Sequence, residues 1–364
     1  MVNDVKPQPA SADKEKQMTG GMIPNLIIAQ RVVDKMAKAA ARFLHDETGE
    51  ALVGLFAPGE NTNGVPTLYV LDTIPPDEDD VTRAAYTFAH GGESQYEAFT
   101  WLLENWDADK ESRHEAGFKW EAPLAHIGDW HKQPGYMIAP SGGDLASAVE
   151  LLDENLAIER WLAPIVTLRH PPTLREGASV NYLTTPDGQG GVTRIDFWMI
   201  DRRAKAFRPI SATVYPDSRL PQLAPLPWHL TNESRLSLEV GQLEHEGWLV
   251  SPIVIWDTDL KPPLEVCFML GRTGGESLLI VATEYDFPNT PPRAYAAPFV
   301  PMGKGEELHD VFEKAWSDAD PLPHPDGFEW TPETYLVDYV AALLGKLPVA
   351  TDKGAAEPSK DEPS

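Results

Sequence analysis

Apolar and polar positions alternate along the chain in blocks that predict strands and helices in turn. Runs rich in β-branched and aromatic residues, bounded by glycine, proline or polar residues, predict strands at 50–57, 67–74, 124–131, 163–169, 193–201 and 209–215. Apolar residues three or four positions apart predict helices at 93–106 and 142–158, and another running from Asn25, its expected cap, to about Phe43. These elements predict an α+β or α/β domain with a mixed sheet flanked by helices.

The pattern changes after a proline-rich stretch at 220–227. Beyond it, a helix is predicted to begin after Asn232, strands are predicted at 249–256, 264–270 and 277–283, and a late helix is predicted within 330–344. These elements predict a second α+β domain with an antiparallel meander sheet. We therefore divide the chain into a first domain at 22–218, a proline-rich linker at 219–229 and a second domain at 230–348. The polar ends, 1–20 and 349–364, show no periodicity and are expected to be disordered tails.

The acidic balance of the chain limits its partners. It has 30 Lys and Arg residues against 56 Asp and Glu residues, so its net charge is −26 and phosphate backbones are repelled. We therefore expect no nucleic-acid partner. The first residues lack the apolar core of a signal peptide, and no run of about 18 apolar residues occurs, so we expect no membrane partner. One cysteine, Cys267, excludes a disulfide within the chain and fits a cytoplasmic location.

Four side chains between residues 131 and 144 have spacings that suit a metal site. His131 and Gln133 are two apart, so on a strand they point to the same face. Ser141 and Asp144 are three apart, so in the first turn of the predicted helix they point to the same side. A turn at residues 134–135 connects the two pairs. We expect the four side chains to converge at the end of the strand.

These residues resemble the JAMM (MPN or JAB) metalloprotease motif, which reads His-x-His-Pro, six residues, then Ser-x-x-Asp. Here residues 131–134 read His-Lys-Gln-Pro and, six residues later, 141–144 read Ser-Gly-Gly-Asp. Upstream, residues 47–54 resemble the family's Glu-x-Gly-Gly-x-Leu-x-Gly strand. The resemblance implies a JAMM-type, cytidine-deaminase-like fold for 22–218 and a zinc ion held by His131, Asp144 and the residue at 133. It also implies that Glu47 is the general base and that Ser141 stabilises the oxyanion.

The sequence departs from this motif at one position, where Gln133 replaces the second zinc histidine. A neutral amide oxygen is a weak donor for zinc, which prefers imidazole, thiolate or carboxylate. His126 is a possible substitute, but it lies five residues before His131 and thus on the opposite face of a regular strand. A β-bulge would bring it to the same face. Independently of any metal, Ser141 and Asp144 also suit a helix cap.

The second domain resembles the ubiquitin-conjugating-enzyme fold. Its first helix carries Arg235 and Glu239, its strands are followed by Phe-Pro-Asn-Thr-Pro-Pro at 287–292, and Trp-Thr-Pro at 330–332 leads into the late helix. The conjugating reaction requires a cysteine after the Pro-Pro pair, but Cys267 precedes that pair and lies on a predicted buried strand. We therefore expect this domain to bind partners and not to transfer a thioester.

These features support two functions, whereas no residue supports a third option, a general metallohydrolase acting on small molecules. The first is a zinc-dependent isopeptidase or peptidase in a bacterial-type ubiquitin-like modification pathway, whose partners would be a ubiquitin-like protein or its activating and conjugating enzymes. The second is a non-catalytic adaptor with a degenerate metal site, which Gln133 and the missing transfer cysteine favour. The retention of Glu47, His131, Ser141 and Asp144 favours the first.

Overall fold

The computed structural model describes residues 22–77, 81–84, 87–89, 92–171, 180–187 and 190–345. Both predicted tails, 1–20 and 349–364, lie outside these residues. The chain divides between Ala224 and Pro225 into two compact units, and this division falls within the residues predicted as a linker. Among the described residues, no helix has the length and the apolar character needed to cross a membrane.

The first unit is built on a large mixed sheet with helices packed against it. Its described strands are β1 (Asn25–Ala29), β2 (Gly49–Ala57), β3 (Thr67–Ile74), β4 (Thr82–Ala84), β5 (Thr87–Ala89), β6 (Ala125–Lys132), β7 (Arg160–Leu162), β8 (Ile165–His170), β9 (Tyr182–Pro186), β10 (Val192–Asp196), β11 (Trp198–Asp201), β12 (Phe207–Pro209) and β13 (Ala212–Tyr215). In the described part, eleven of them form one sheet with the path β12-β11-β7-β6-β2-β3-β1-β13, and β8, β9 and β10 branch from β6. Strands β4 and β5 pair separately.

The helices of this unit are α1 (Gln30–Arg42), α2 (Glu93–Ala108), α3 (Lys110–Ala116) and α4 (Gly142–Glu154), with short 3-10 turns at Gly59–Asn61, Phe118–Trp120 and Asp217–Arg219. Helix α1 buries Val32, Val33 and Met36 against the sheet. Helix α4 packs Ala148 and Leu152 against Trp161 and Ile200. Helices therefore cover the central strands and help to bury them.

The prediction of one helix from Asn25 to about Phe43 is wrong at its start. Residues Asn25–Ala29 form a strand that runs parallel to both β3 and β13. Leu26 and Ile28 are buried. A short apolar run does not distinguish a buried strand from the first turn of a helix, and here the backbone hydrogen bonds offered by two neighbouring strands determine the outcome.

Three other predicted strands are each divided in the structure, and one of them, predicted at 249–256 in the second unit, becomes two short strands at Leu249–Val250 and Val254–Trp256. The predicted strand at 193–201 consists of β10, which pairs with β8 and β9, and β11, which pairs with β7 and β12. Buried Phe197 lies between them. The predicted strand at 209–215 is likewise divided between β12 and β13, and the helix predicted to reach 158 ends at Glu154. The apolar pattern located these segments but could not show where the chain changes partner strand.

Close backbone contacts require glycine at two positions beside the central strands. A Cβ atom at Gly54 would lie 1.9 Å from the carbonyl oxygen of Tyr69, and one at Gly128 would lie 2.0 Å from that of Leu162. Neither backbone oxygen can move without displacing its strand, so these glycines permit the close approach of β2 to β3 and of β6 to β7.

The second unit contains an antiparallel sheet with the described strands β14 (Leu249–Val250), β15 (Val254–Trp256), β16 (Glu265–Gly271), β17 (Ser277–Thr283), β18 (Arg293–Pro298) and β19 (Asp320–Pro321). Its helices are α5 (Trp228–Thr231), α6 (Glu233–His245), α7 (Leu308–Ser317) and α8 (Leu336–Leu343). The side chain of Asn232 caps α6, as expected, by accepting a hydrogen bond from the backbone N–H of Arg235. The sequence pattern did not predict β18 or α7, whose apolar residues pack with those of β15 to β17.

A buried ion pair fixes α6 against the start of α8. Glu239 has no exposed surface; it accepts hydrogen bonds from Arg235 Nε at 2.6 Å and from the backbone N–H of Leu336 at 2.7 Å. The Arg235 guanidinium also donates to the carbonyl oxygens of Pro332 and Thr334. All charged groups of this cluster therefore have partners, which is the condition under which a buried ion pair is tolerated.

Candidate functional site

The end of β6 and the start of α4 together position the candidate site. Ser141 is the N-cap of α4, and its Oγ accepts a hydrogen bond from the backbone N–H of Asp144 at 3.2 Å. The Asp144 carboxylate in turn accepts one from the backbone N–H of Ser141 at 2.5 Å. This capping box fixes both side chains on the first turn of the helix and directs the Asp144 carboxylate toward the end of β6.

Three of the predicted side chains converge at this point. His131 Nε2 lies 3.5 Å from Asp144 Oδ1. The Gln133 side-chain nitrogen lies 3.3 Å from His131 Nε2 and donates a hydrogen bond to Asp144 Oδ2 at 3.1 Å. Gln133 is buried, with 4% of its surface exposed. The strand spacing of two and the helix spacing of three thus bring an imidazole, an amide and a carboxylate together.

Glu47 lies in the same cleft, in the residues that lead into β2. Its backbone N–H donates to the carbonyl oxygen of Ala84, and Gly49, two residues later, is paired with His131 across the sheet. Partial burial raises the pKa of the Glu47 carboxyl above its usual value, and the nearby negative charge of Asp144 raises it further, while Lys132 opposes this effect. A carboxylate with a raised pKa is a better proton acceptor.

The cleft has a volume of about 460 Å³ and contains all five predicted site residues. Its other lining side chains include the acidic Asp129 and a group of larger apolar residues: Trp130, Met137, Leu151, Trp161 and Phe207. Trp161 and Phe207 are on β7 and β12, and nothing in the motif indicates them, because strand pairing over long sequence distances brings them here. The site is therefore a polar cluster beside an apolar wall.

His126 does not join the converging donors. The pairing of β2 with β6 has a bulge, since Leu52 is opposite Gly128 while Val53 is opposite His126. His126 Nε2 lies 2.7 Å from Asp129 Oδ1, and its ring packs between Phe99 and Trp161. The bulge considered from the sequence is thus present, but His126 contacts Asp129, and no contact joins it to His131 or Asp144 among the described residues.

The donor set fits a divalent ion with one weak ligand. Ligands bound to tetrahedral zinc at about 2.0–2.2 Å lie roughly 3.3–3.6 Å from one another. Here His131 Nε2 and Asp144 Oδ1 are 3.5 Å apart, which lies within this range, whereas the Gln133 atom 3.3 Å from His131 Nε2 is the amide nitrogen, which is not a metal ligand. Gln133 Oε1 is buried and has no hydrogen-bond partner among the described residues. Among the residues that the structure describes, no group of three His, Cys, Asp or Glu side chains could hold a metal ion. A third ligand beside His131 and Asp144 would therefore be the Gln133 amide.

Comparison with known proteins assigns the chain to no family. No family model matches it, and no curated protein does. Among solved structures it is similar to the solution structure of a protein from Desulfitobacterium hafniense, at 14% sequence identity, with 52% of this chain and 93% of that chain covered. The TM-score of this match is 0.30, so it adds nothing to the interpretation of the fold or the site.

A buried lysine next to the cleft was missed by the sequence interpretation. Lys132 follows His131 on β6 and therefore points to the other face of the strand, where only 3% of its surface is exposed and Nζ donates to the carbonyl oxygen of Leu44. Burial lowers the pKa of its ammonium group, while Asp46 and Glu47 raise it. A lysine in the middle of a motif gives no sequence signal for this position, because lysines are usually exposed.

The one thiol of the chain is enclosed in the second unit. Cys267 is on β16 with no exposed surface, and it packs with Val254 and Ile280 in the core. Burial raises the pKa of the thiol well above its usual value. A thiol that is enclosed and remains protonated is not a nucleophile, so this side chain is part of the core.

Proposed function

We propose that the first unit is a JAMM-type, cytidine-deaminase-like domain that hydrolyses an isopeptide or peptide bond with the help of a zinc ion. The observation that carries this proposal is the convergence of His131, Gln133 and Asp144 in one cleft with Glu47. The 3.5 Å between His131 Nε2 and Asp144 Oδ1 suits two ligands of one divalent ion, and the carboxylates of Glu47 and Asp144 give the cleft the negative charge that attracts one. His131 and Asp144 would hold the ion, with the amide of Gln133 as a weak third ligand.

A zinc ion in this cleft would supply Lewis-acid chemistry, lowering the pKa of a water molecule and polarising the scissile carbonyl. Glu47 accepts a proton from the attacking water molecule while the water oxygen forms a bond to the carbonyl carbon. When the C–N bond breaks, the same carboxyl delivers the proton to the leaving amine. The raised pKa of Glu47 suits both steps, since it lies closer to neutrality than that of an exposed glutamate.

Ser141 would stabilise the negative charge that develops on the carbonyl oxygen. Its Oγ accepts a hydrogen bond from the Asp144 backbone, which fixes the oxygen and leaves the hydroxyl proton for a substrate oxygen. Such a donor typically contributes about two to three decades in rate. The apolar side chains of Trp161 and Phe207 also line the cleft.

The second unit is proposed to be a ubiquitin-conjugating-enzyme-like module that binds the modifier or a partner enzyme. Its helix, meander sheet and late helix follow the order expected from the resemblance. Cys267 is enclosed in its core, which is consistent with binding and not with thioester transfer. The substrate of the first unit would accordingly be a protein modified by a ubiquitin-like protein.

Replacing Glu47 tests the hydrolase directly. The full chain, loaded with zinc, is assayed on ubiquitin-like proteins that carry a fluorogenic amide at the C-terminus. Glu47→Gln should lower kcat/KM by about 100-fold or more, because general base catalysis contributes about 10²–10⁴-fold. Glu60→Gln, at an exposed glutamate, is the matched control and should retain wild-type activity. Equal activity of Glu47→Gln and wild type would exclude the proposed mechanism.

The alternative is a non-catalytic adaptor, and one observation favours it. The side-chain nitrogen of Gln133 already contacts both His131 Nε2 and Asp144 Oδ2, so the polar groups interact with one another without an ion. In that case both units would serve only as protein-binding surfaces of the same pathway. The adaptor predicts that the full chain binds no zinc at its wild-type cleft and gains a zinc site in Gln133→His.

A further inference from the structure

The side-chain amide of Gln133 has one satisfied end and one unsatisfied end. Its nitrogen lies 3.1 Å from Asp144 Oδ2 and 3.3 Å from His131 Nε2. When His131 Nε2 carries no proton, each of the two amide N–H groups therefore has an acceptor nearby. Its oxygen is buried and has no hydrogen-bond partner among the described residues. The Gln133 backbone is fixed independently, because its N–H donates to the carbonyl oxygen of Val166 at 3.0 Å.

Rotation of the amide by half a turn about its last side-chain bond exchanges these two ends. The oxygen then faces His131 Nε2 and Asp144, where the nitrogen now lies. Without a cation, that orientation brings the amide oxygen against the Asp144 carboxylate, and two acceptors repel each other. With a cation between them, the amide oxygen, the imidazole nitrogen and the carboxylate would all be attracted to the same ion, and His131 Nε2 and Asp144 Oδ1 already have the 3.5 Å separation of two zinc ligands.

We infer that Gln133 is a two-position ligand, which closes the site by hydrogen bonding when zinc is absent and turns to bind zinc through Oε1 when it is present. The inference rests on the proposed function and adds to it a control of metal loading. Zinc must displace two hydrogen bonds and move the amide N–H groups into the buried position that Oε1 occupies. The site therefore fills only at a high free zinc concentration, and activity follows that concentration.

Three variants of the full chain separate the roles of the amide. Gln133→Met keeps the length of the side chain but has no amide, so it should weaken zinc binding by about tenfold or more. Gln133→His supplies an imidazole that can bind zinc without rotating. Removing a supporting group of a metal site typically lowers metal affinity by about 10- to 100-fold, so adding a direct ligand should raise zinc affinity by about 100-fold over the wild type. Gln222→Met, at an exposed glutamine outside the cleft, is the matched control and should bind like the wild type.

Calorimetric titration with zinc chloride measures these affinities, and circular dichroism verifies that each variant is folded. In parallel, the side-chain N–H signals of Gln133, assigned by their loss in Gln133→Met, should move on zinc addition in spectra of glutamine-labelled protein. Unmoved signals, or equal zinc affinity of Gln133→Met and wild type, would overturn the inference. If His131→Ala abolishes zinc binding in that case, the proposed metal site still stands. If the wild type binds no zinc at millimolar concentration, or His131→Ala binds as the wild type does, the proposed function fails as well.

Discussion

Each unit contains a polar cluster with at least one buried member, and the two clusters differ in how completely their members are paired. In the second unit, fully buried Glu239 is matched by Arg235 and by the backbone N–H of Leu336, and the remaining guanidinium donors reach backbone carbonyls. In the first unit, the amide oxygen of Gln133 has no partner among the described residues, and partly exposed Glu47 lies beside another carboxylate.

This difference separates a cluster that stabilises the fold from one that is available for chemistry. A closed set of partners compensates for the loss of water around each charge and leaves nothing for a ligand to bind. A cluster in a cleft whose polar groups are incompletely paired lowers the stability of the fold, and binding of a cation or substrate would raise it again. Removing members of the two clusters should therefore have different effects on the free energy of unfolding.

The largest effect is expected at Glu239. Glu239→Ala leaves Arg235 buried without its carboxylate and removes the acceptor of the Leu336 N–H, so it should lower the free energy of unfolding by about 3–5 kcal/mol. Chemical denaturation of the full chain measures this loss. Glu244→Ala, at an exposed glutamate on the same helix, should change it by less than about 0.5 kcal/mol. Equal losses for the two variants would mean that the buried pair does not stabilise α6 and α8.

A smaller loss is expected at Ser141, which belongs to the cleft but also caps α4. Ser141→Ala removes the acceptor of the Asp144 N–H and should lower the free energy of unfolding by about 1 kcal/mol. Ser147→Ala, at an exposed serine farther along the same helix, should not lower it, because alanine favours the helix interior. The same denaturation measurement compares the two variants. Equal free energies of unfolding for Ser141→Ala and Ser147→Ala would show that Ser141 does not stabilise the helix as a cap.

The smallest effect, of opposite sign, is expected at Glu47. Because its pKa is raised in the folded chain, the stability it contributes is present below the usual pKa of a glutamate and is lost as the pH rises through the folded value. Glu47→Gln should therefore match the wild type at acidic pH and exceed it at neutral pH, with a rise in Tm of at most about 2 °C. Calorimetric melting at the two pH values measures this, with Glu60→Gln as the control. A lower Tm of Glu47→Gln at neutral pH would contradict the interpretation.

Local spacing was sufficient to predict that the cleft residues between 131 and 144 meet. His131 and Gln133 lie on one face of β6, and Ser141 and Asp144 occupy the first turn of α4, so each pair is oriented by its own element. The chain between them is short, and a turn is all that is needed to bring the pairs together. The convergence is consequently encoded within fourteen residues, 131–144.

Features that depend on distant residues could not be predicted in this way. Asn25–Ala29 is a strand because β3 and β13 flank it, and neither lies near it in sequence. Trp161 and Phe207 reach the cleft only through the pairing of β7 with β11 and of β11 with β12. The bulge near His126 likewise arises from the register between β2 and β6. Propensity and periodicity describe a segment and carry no information on which strand pairs with it.

The zinc content of the full chain at equilibrium shows whether His131 and Asp144 hold a metal ion. Wild-type protein is dialysed against a high, fixed free zinc concentration and analysed by mass spectrometry, beside His131→Ala and, as a control, His245→Ala at an exposed histidine of the second unit. We expect about one zinc ion per chain in the wild type and in His245→Ala, and none in His131→Ala. A wild-type chain without zinc, or equal zinc in all three proteins, would contradict this expectation.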